Sequence, residues 1–393
     1  MDDSLVKIDL NCLAKNARAI TGRYSDYKYF IGVVKSDGYG HGMSIVNTLY
    51  ENGINYFAVA TLSEAEELRR HNKTVPLLLL EPINLESIDL AERLNCTLPV
   101  HELEYAKALV GLKREKPLNI HFQVDSGFNR LGFKDKVQLK EAFDIINESI
   151  YTPEGIYQHF ATAGIFDPLW DGQVGRFLEI TSLLDLEKIP IVHMGSGVSL
   201  LAHPKIPFAN GARMGLVMYG YNIAPSSLKG GLKNKLRAVR NAYFRKKYNI
   251  SEIYCDVDID LSPAMTLETC ILQIKDVKKG ETVGYNAAYM ADEDIKIAVL
   301  AIGYNNGIGH KNLGRTVVIN GKRYPVIGEL GMNMIAVRAD DSVKLSDTVT
   351  LLGNGITLGM FSRSADMGLG ESLMSIGKNN KRVYVEDGGE SVE

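Results

Sequence analysis

Over roughly the first 225 residues the chain repeats one pattern eight times: a short apolar run rich in β-branched residues, a polar or glycine turn, then a longer stretch with helical spacing of apolar residues. The runs fall at 30–34, 56–60, 75–80, 96–100, 118–124, 155–160, 189–193 and 213–219. Strands separated by helices form βαβ units with a parallel sheet, and eight of them predict a closed (β/α)8 TIM barrel. Between the runs, Ser63 and Glu66 have capping-box spacing, and Gly53 stands where a glycine would end a helix.

After Pro225 the pattern changes, first to a basic segment (LKGGLKNKLRAVRNAYFRKKYN) and then to short alternating runs at 269–274, 295–302, 316–319, 334–337 and 348–352. The chain therefore divides into a barrel at 1–228, an insertion or linker at 229–258 and a C-terminal β-rich domain at 259–393. Its 393 residues, 45% of them apolar, suffice for two cores. The basic segment reads as a solvated helix or linker.

The 44 basic and 47 acidic side chains are scattered, without the basic stripe that a phosphate backbone requires, so nucleic acid is not an expected partner. No stretch reaches the roughly 18 apolar residues of a membrane helix. The acidic start MDDSLVKIDL lacks the layout of a signal peptide, and the expectation is a cytoplasmic protein. Cys12, Cys96, Cys255 and Cys270 lie far apart without CxxC spacing, which predicts free thiols and no metal site. GYGHGM is an incomplete dinucleotide motif, and the SxxK matches at Ser226 and Ser375 lack the companion elements of a penicillin-binding enzyme.

In a barrel, chemistry sits at the C-terminal ends of the strands, and Lys35 ends the run FIGVV just before SDGYGHG. The segment VVKSDGYGHG resembles the signature of the alanine racemase family, and VDSGFNRLGF, YQHFATA, ARMGLVMYG and VGYNAAY follow in that family's order over nearly the whole chain. The resemblance implies a fold-type III enzyme that interconverts L- and D-alanine with pyridoxal 5'-phosphate (PLP) held as a Schiff base on Lys35. It also implies a homodimer with shared sites and a role in supplying peptidoglycan precursors.

By the same resemblance Lys35 and Tyr285 are the two acid/base groups, one for each face of the substrate, with Tyr285 reaching in from the partner subunit. His159 and Arg213 match the residues hydrogen-bonded behind that tyrosine. Arg213 also matches the arginine facing the pyridine nitrogen, and Arg130 the one that bonds the cofactor's phenolic oxygen and borders the substrate. Tyr39, Ser196, Gly215 and Leu216 match phosphate contacts. Met332 matches a backbone contact to the substrate carboxylate, and Tyr304 an entryway tyrosine.

Several positions depart from the family pattern. Gln123 stands where many members carry a carbamylated lysine, and its amide is expected to hold Arg130 by hydrogen bonding. Asn333, Asn306 and His310 replace aspartate, aspartate and arginine. Lys378 occupies the place of a tyrosine at the cofactor phosphate, where it could hold phosphate as a point charge or admit a more polar substrate. Two alternatives stand beside alanine racemisation: racemisation of serine or another small amino acid, and a PLP-binding homeostasis protein without turnover.

Overall fold

The computed structural model describes residues 4–163, 168–222 and 259–392, with positions 236, 239, 242, 243 and 246 between them. Cys255, the SxxK match at Ser226 and nearly all of the expected insertion at 229–258 lie outside the described residues. The chain forms two compact units, one of Ala14–Lys35 with Val46–Leu261, the other of Met1–Leu13, Ser36–Ile45 and Ser262–Glu393.

This division corrects the expectation that the barrel begins with the chain. The first strand, β1 (Ser4–Asp9), alternates buried and partly exposed residues, the pattern of a strand with one face on a core rather than of a barrel strand buried on both. It pairs with strands from the end of the chain.

The barrel is built from β2 (Tyr29–Val33), β3 (Tyr56–Val59), β4 (Leu77–Leu79), β5 (Leu98–Val100), β6 (Asn119–Gln123), β7 (Thr152–Tyr157), β8 (Ile191–Ser196) and β9 (Gly211–Met214). All eight expected strands are present, and they form one sheet in the order β4-β3-β2-β9-β8-β7-β6-β5, every named pairing parallel. A parallel bridge between Leu78 and Thr97 closes the ring, with the Thr97 amide donating to Leu77 at 2.7 Å and the Leu79 amide to Thr97 at 3.0 Å. The run at 213–219 proves to be half strand and half turn: from Gly215 on, the amides of Met218, Tyr219 and Gly220 fold back onto the carbonyls of Gly215, Leu216 and Val217.

The helix signals divide. Gly53 has φ +102°; its amide donates to Tyr50 and that of Ile54 to Leu49, the paired bonds of a Schellman end that favours glycine. The capping box, however, belongs to Thr61 and Glu64, which exchange side-chain and backbone bonds at the start of the helix Leu62–His71. Ser63 and Glu66 share the spacing but lie inside that helix.

In the second unit, β10 (Met265–Val277), β13 (Ile295–Leu300), β14 (Thr316–Ile319), β15 (Lys322–Ile327), β16 (Ile335–Ala339) and β17 (Thr348–Leu352) close an antiparallel ring, because the long β10 pairs with both β17 and β13 across a bulge at 271–273. Beyond it, β1 pairs antiparallel with β10 and parallel with β18 (Lys381–Glu386), and β19 (Gly389–Val392) forms the edge. A small hairpin of β11 (Thr282–Val283) and β12 (Tyr289–Met290) projects the 3-10 turn Tyr285–Ala287. Val277, Val283, Ala291, Ile295, Ile297 and Ile327 pack a core beneath it.

Candidate active site

Every residue of β2 except Tyr29 is buried, and Lys35 follows Val34 where the strand reaches the barrel rim. The chain then does something unusual for L-residues: Ser36, Asp37 and Gly38 have φ/ψ of 53/49°, 56/55° and 59/37°, and Tyr39 has φ 53°. Four consecutive residues thus make one left-handed turn, which costs about 1–2 kcal/mol for each non-glycine residue in it. The turn is tied by bonds from the Gly40 amide to Ser36 and Asp37 and from the Gly42 amide to Asp37. Burial raises the Tyr39 hydroxyl above the usual phenol range.

Arg213, on β9, is 5% exposed. Its Nη1 donates to His193 Nδ1 and to the His193 carbonyl, both at 2.9 Å. Its Nη2 donates to the Gln158 carbonyl at 2.7 Å and to His159 Nδ1 at 3.2 Å. Burial draws the guanidinium down to about 10, leaving it charged near neutrality.

An arginine can only donate, so these contacts assign the tautomers of the rings it touches. His193 Nδ1 accepts, and Nε2 therefore carries the hydrogen and donates to His121 Nδ1 at 2.9 Å. His121 Nε2 in turn donates to Glu154 Oε2 at 3.1 Å. Glu154 also accepts from Tyr56 and Asn119, each at 2.7 Å. Burial works to raise this carboxyl, but the hydrogen bonds from His121, Tyr56 and Thr97 hold it below the usual carboxylate range. Arg213, His193, His121 and Glu154 are thus one directed chain through the barrel interior, with an obligate donor at one end and an acceptor at the other. Sequence reasoning missed its last three members; the available signal for two of them was a histidine inside a barrel strand, as in IVHMG and NIHFQ.

His159 Nδ1 likewise accepts from Arg213, which leaves Nε2–H as its free donor. Burial first, then the charges of Arg213, Arg130 and Lys35, hold this imidazole down to about 3. The barrel therefore brings Lys35, Arg130 and Arg213 within electrostatic reach of the His159 ring, and that ring is neutral. Arg130 stacks over Phe128 at 4.5 Å, and Phe128 meets His159 edge-on at 5.2 Å. Gln123 does not hold Arg130 as expected: its Oε1 accepts from the Tyr157 hydroxyl on the neighbouring strand at 3.1 Å.

At the ends of β8 and β9, Ser196, Gly197, Gly215 and Leu216 come together. A Cβ on Gly197 would lie 2.3 Å from Val217 Cγ1 and 3.6 Å from the Gly215 nitrogen. Among the described residues no acceptor takes the amides of Gly215, Leu216 or Val217.

The other expected residues belong to the β-rich unit. Tyr285 is 67% exposed, and its neighbour Asn286 is anchored to Glu329 at 2.9 Å. Tyr304 and Met332 are brought together through their backbones, the Tyr304 amide donating to Gly331 at 3.1 Å and that of Asn305 to Met332 at 2.9 Å. His310 stacks on Tyr304 at 4.1 Å. Asn306 has a structural task, donating to Ser4 at 2.9 Å and Asn380 at 3.2 Å. Asn333 is exposed, as is Lys378, the last residue of the helix Leu369–Lys378. Among the described residues there is no cluster fit for a metal ion and no helix long and apolar enough to cross a membrane.

A parallel barrel with a lysine and a buried arginine, hydrogen-bonded through both Nη nitrogens, at its strand ends, followed by an antiparallel β domain, defines a two-domain barrel enzyme. Comparison with known proteins is specific. The model of the alanine racemase N-terminal domain matches residues 8–223, and that of the alanine racemase C-terminal domain matches residues 264–384. Alanine racemase of Streptococcus pneumoniae serotype 19F (strain G54) is 30% identical over 350 residues, 88% of this chain and 87% of that protein. Alanine racemase from Bacillus anthracis with bound L-Ala-P superposes with a TM-score of 0.85 at 28% identity, over 100% of this chain and 98% of the other. That of Clostridium difficile 630 gives 0.85 at 26% identity, with the same coverage. The chain belongs to the alanine racemase family, and it is a racemase.

Proposed function

We propose that the chain interconverts L- and D-alanine in the cytoplasm, supplying D-alanine to cell-wall precursors, as a homodimer that carries PLP on Lys35. The observation that carries this reading is the convergence of Lys35, Arg130 and Arg213 on a neutral His159 at the barrel rim.

The residues fit the cofactor. Its phosphate needs donors free of other acceptors, which the amides of Gly215 and Leu216 are among the described residues, beside a residue at 197 that must lack a side chain; Ser196 adds a hydroxyl, and the family resemblance assigns another to Tyr39. A ring nitrogen facing Arg213 would accept from a group that cannot give up its proton, which keeps that nitrogen unprotonated. Arg130 would serve the phenolic oxygen. When bound, PLP supplies a sink for the electron pair that remains at the substrate Cα once its proton leaves.

Proton movement then falls to the chain's own side chains. Lys35 Nζ takes or returns the Cα proton on one face, and the Tyr285 hydroxyl of the other protomer does so on the opposite face. His159 Nε2–H, with Arg213 behind it, stabilises Tyr285 when it is deprotonated, as a general base requires. Met332, through its backbone, and Arg130 orient the substrate carboxylate, with Tyr304 beside Met332.

The test is purified protein loaded with PLP: one portion has its absorbance recorded before and after borohydride, and an unreduced portion is given L-alanine or L-serine with chiral analysis of the products. Reductive fixing of the cofactor on Lys35, its loss in Lys35→Ala and faster turnover of alanine than of serine are expected. A preference for serine moves the substrate and keeps the reaction; bound cofactor with no turnover of either leaves a homeostasis protein.

A further inference from the structure

The left-handed turn that follows Lys35 is held from the far end of the sequence. Arg382, on β18, forms an ion pair with Asp37, the second residue of the turn. Two residues on, the Tyr384 hydroxyl donates to the His41 carbonyl at 3.0 Å. Between these anchors Gly40 and Gly377 meet backbone to backbone: a Cβ on Gly377 would lie 2.0 Å from the Gly40 oxygen, and one on Gly40 2.3 Å from the Leu373 oxygen. β18 is in turn fixed by its parallel pairing with β1, Val6 opposite Arg382 and Ile8 opposite Tyr384.

Three non-glycine residues, Ser36, Asp37 and Tyr39, occupy a backbone region that L-residues leave when free to do so. Such a conformation persists only where surrounding structure over-determines it. The helix Leu369–Lys378 and Tyr384 fix the far side of the turn, at Gly40 and His41. On its near side, next to Lys35, the Asp37 carboxylate is a side chain through which the unit grips it.

We infer that Arg382, gripping Asp37, is a positioning residue for Lys35: it holds the left-handed turn from which the lysine projects, and so sets the alignment on which proton transfer at Lys35 depends. The inference rests on the proposed role of Lys35. The pair is partly exposed, Arg382 at 18% and Asp37 at 41% of the side chain, so its effect is expected on rate rather than on folding.

The experiment uses the PLP-loaded enzyme with Arg382→Gln, Arg382→Lys, Asp37→Asn and the double variant Asp37→Asn/Arg382→Gln. Arg382→Gln is expected to lower kcat about tenfold to a hundredfold, the loss that a small misplacement of a reacting group causes. KM for alanine should stay within about threefold, Arg382→Lys should restore most of the rate, and the double variant should be no worse than the poorer single one, as coupled residues behave. Hydrogen exchange at the Gly40, His41 and Gly42 amides of the cofactor-free chain should quicken in Arg382→Gln and Asp37→Asn but not in Arg382→Lys. Unchanged exchange, a kcat within about twofold of the parent, or single losses that multiply in the double variant would each overturn the inference. If the parent carries no cofactor on Lys35, the proposed function fails instead, and the exchange data still decide whether Arg382 holds the turn.

Discussion

The barrel interior and the loop that carries Tyr285 make opposite use of polar groups. In the barrel, Arg213 is 5% exposed and bonded through both Nη nitrogens, and the chain through His193 and His121 to Glu154 has only one consistent placement of its hydrogens. In the loop, Tyr285 is 67% exposed, with Met332 at 55% and Met334 at 54% elsewhere on the same unit. A buried, hydrogen-bonded group has its orientation fixed before any substrate arrives, whereas an exposed phenol does not until something covers it. On the proposed function, one protomer would prepare one side of a two-sided reaction and leave the other to be completed.

The sharpest way to break that contrast is to separate the sides. Lys35→Ala and Tyr285→Phe should each lose racemisation by at least about a thousandfold, the upper range for a general acid or base, with the cofactor's absorbance intact in Tyr285→Phe. Mixing the two inactive proteins under conditions that exchange subunits should then return up to about a quarter of parental activity, since half the dimers are mixed and half of their sites are complete. Full activity in Tyr285→Phe, or no recovery on mixing, means that the tyrosine does not act from a partner.

The interior chain is tested next. Glu154→Leu leaves His121, Tyr56 and Asn119 without the acceptor they share, and unsatisfied buried donors should cost about 3 kcal/mol in urea unfolding. A loss under about 1 kcal/mol would show that the chain is ornamental to the fold.

Acid sensitivity should follow from the same burial. Burial, the largest cause in each case, holds His159 down to about 3 and His41 to about 4, while in the unfolded chain both take up protons near a pKa of about 6.5. Between those values the unfolded state binds more protons, so stability is complete above about pH 6.5 and is lost as pH falls. Each histidine should cost about 2 kcal/mol at pH 5, and the lowered Glu154 adds in the same direction further down. The melting temperature should therefore drop on going from neutral pH to pH 5; a flat profile would mean that these rings are hydrated.

How much of this the sequence made legible depended on the range of the interaction. The barrel strands could be read because their burial on both faces leaves near-continuous apolar runs, as in LLLL at 77–80. Lys35, Arg213 and Tyr285 could be singled out as candidates because short motifs surround them. β1 was hidden: SLVKID alternates like any half-buried strand, and nothing local says that its neighbours are residues 265–269 and 381–385. The Arg382–Asp37 pair and the Glu154 chain were hidden for the same reason, since each member is an ordinary residue until the fold brings its partner from 345 or 33 positions away. The left-handed turn left a trace only at Gly38, because Ser36, Asp37 and Tyr39 do not announce a positive φ.

The smallest expected effect concerns the rim of the barrel, where stability rests on local bonds rather than on the interior. Thr61 and Ser63 offer the same chemistry two residues apart, and spacing alone favours neither. In the structure the Thr61 hydroxyl accepts from the Glu64 amide, while Glu64 Oε2 takes the Ala60 amide at 2.7 Å and the Thr61 amide at 3.4 Å. Thr61→Ala should thus cost about 1 kcal/mol in unfolding free energy, the usual loss of a cap. Ser63→Ala, on the first turn and bonded only to Thr61, should change stability by less than about 0.5 kcal/mol. Equal costs would mean that the helix begins in either frame, and that the barrel's outer layer is less uniquely specified than its interior.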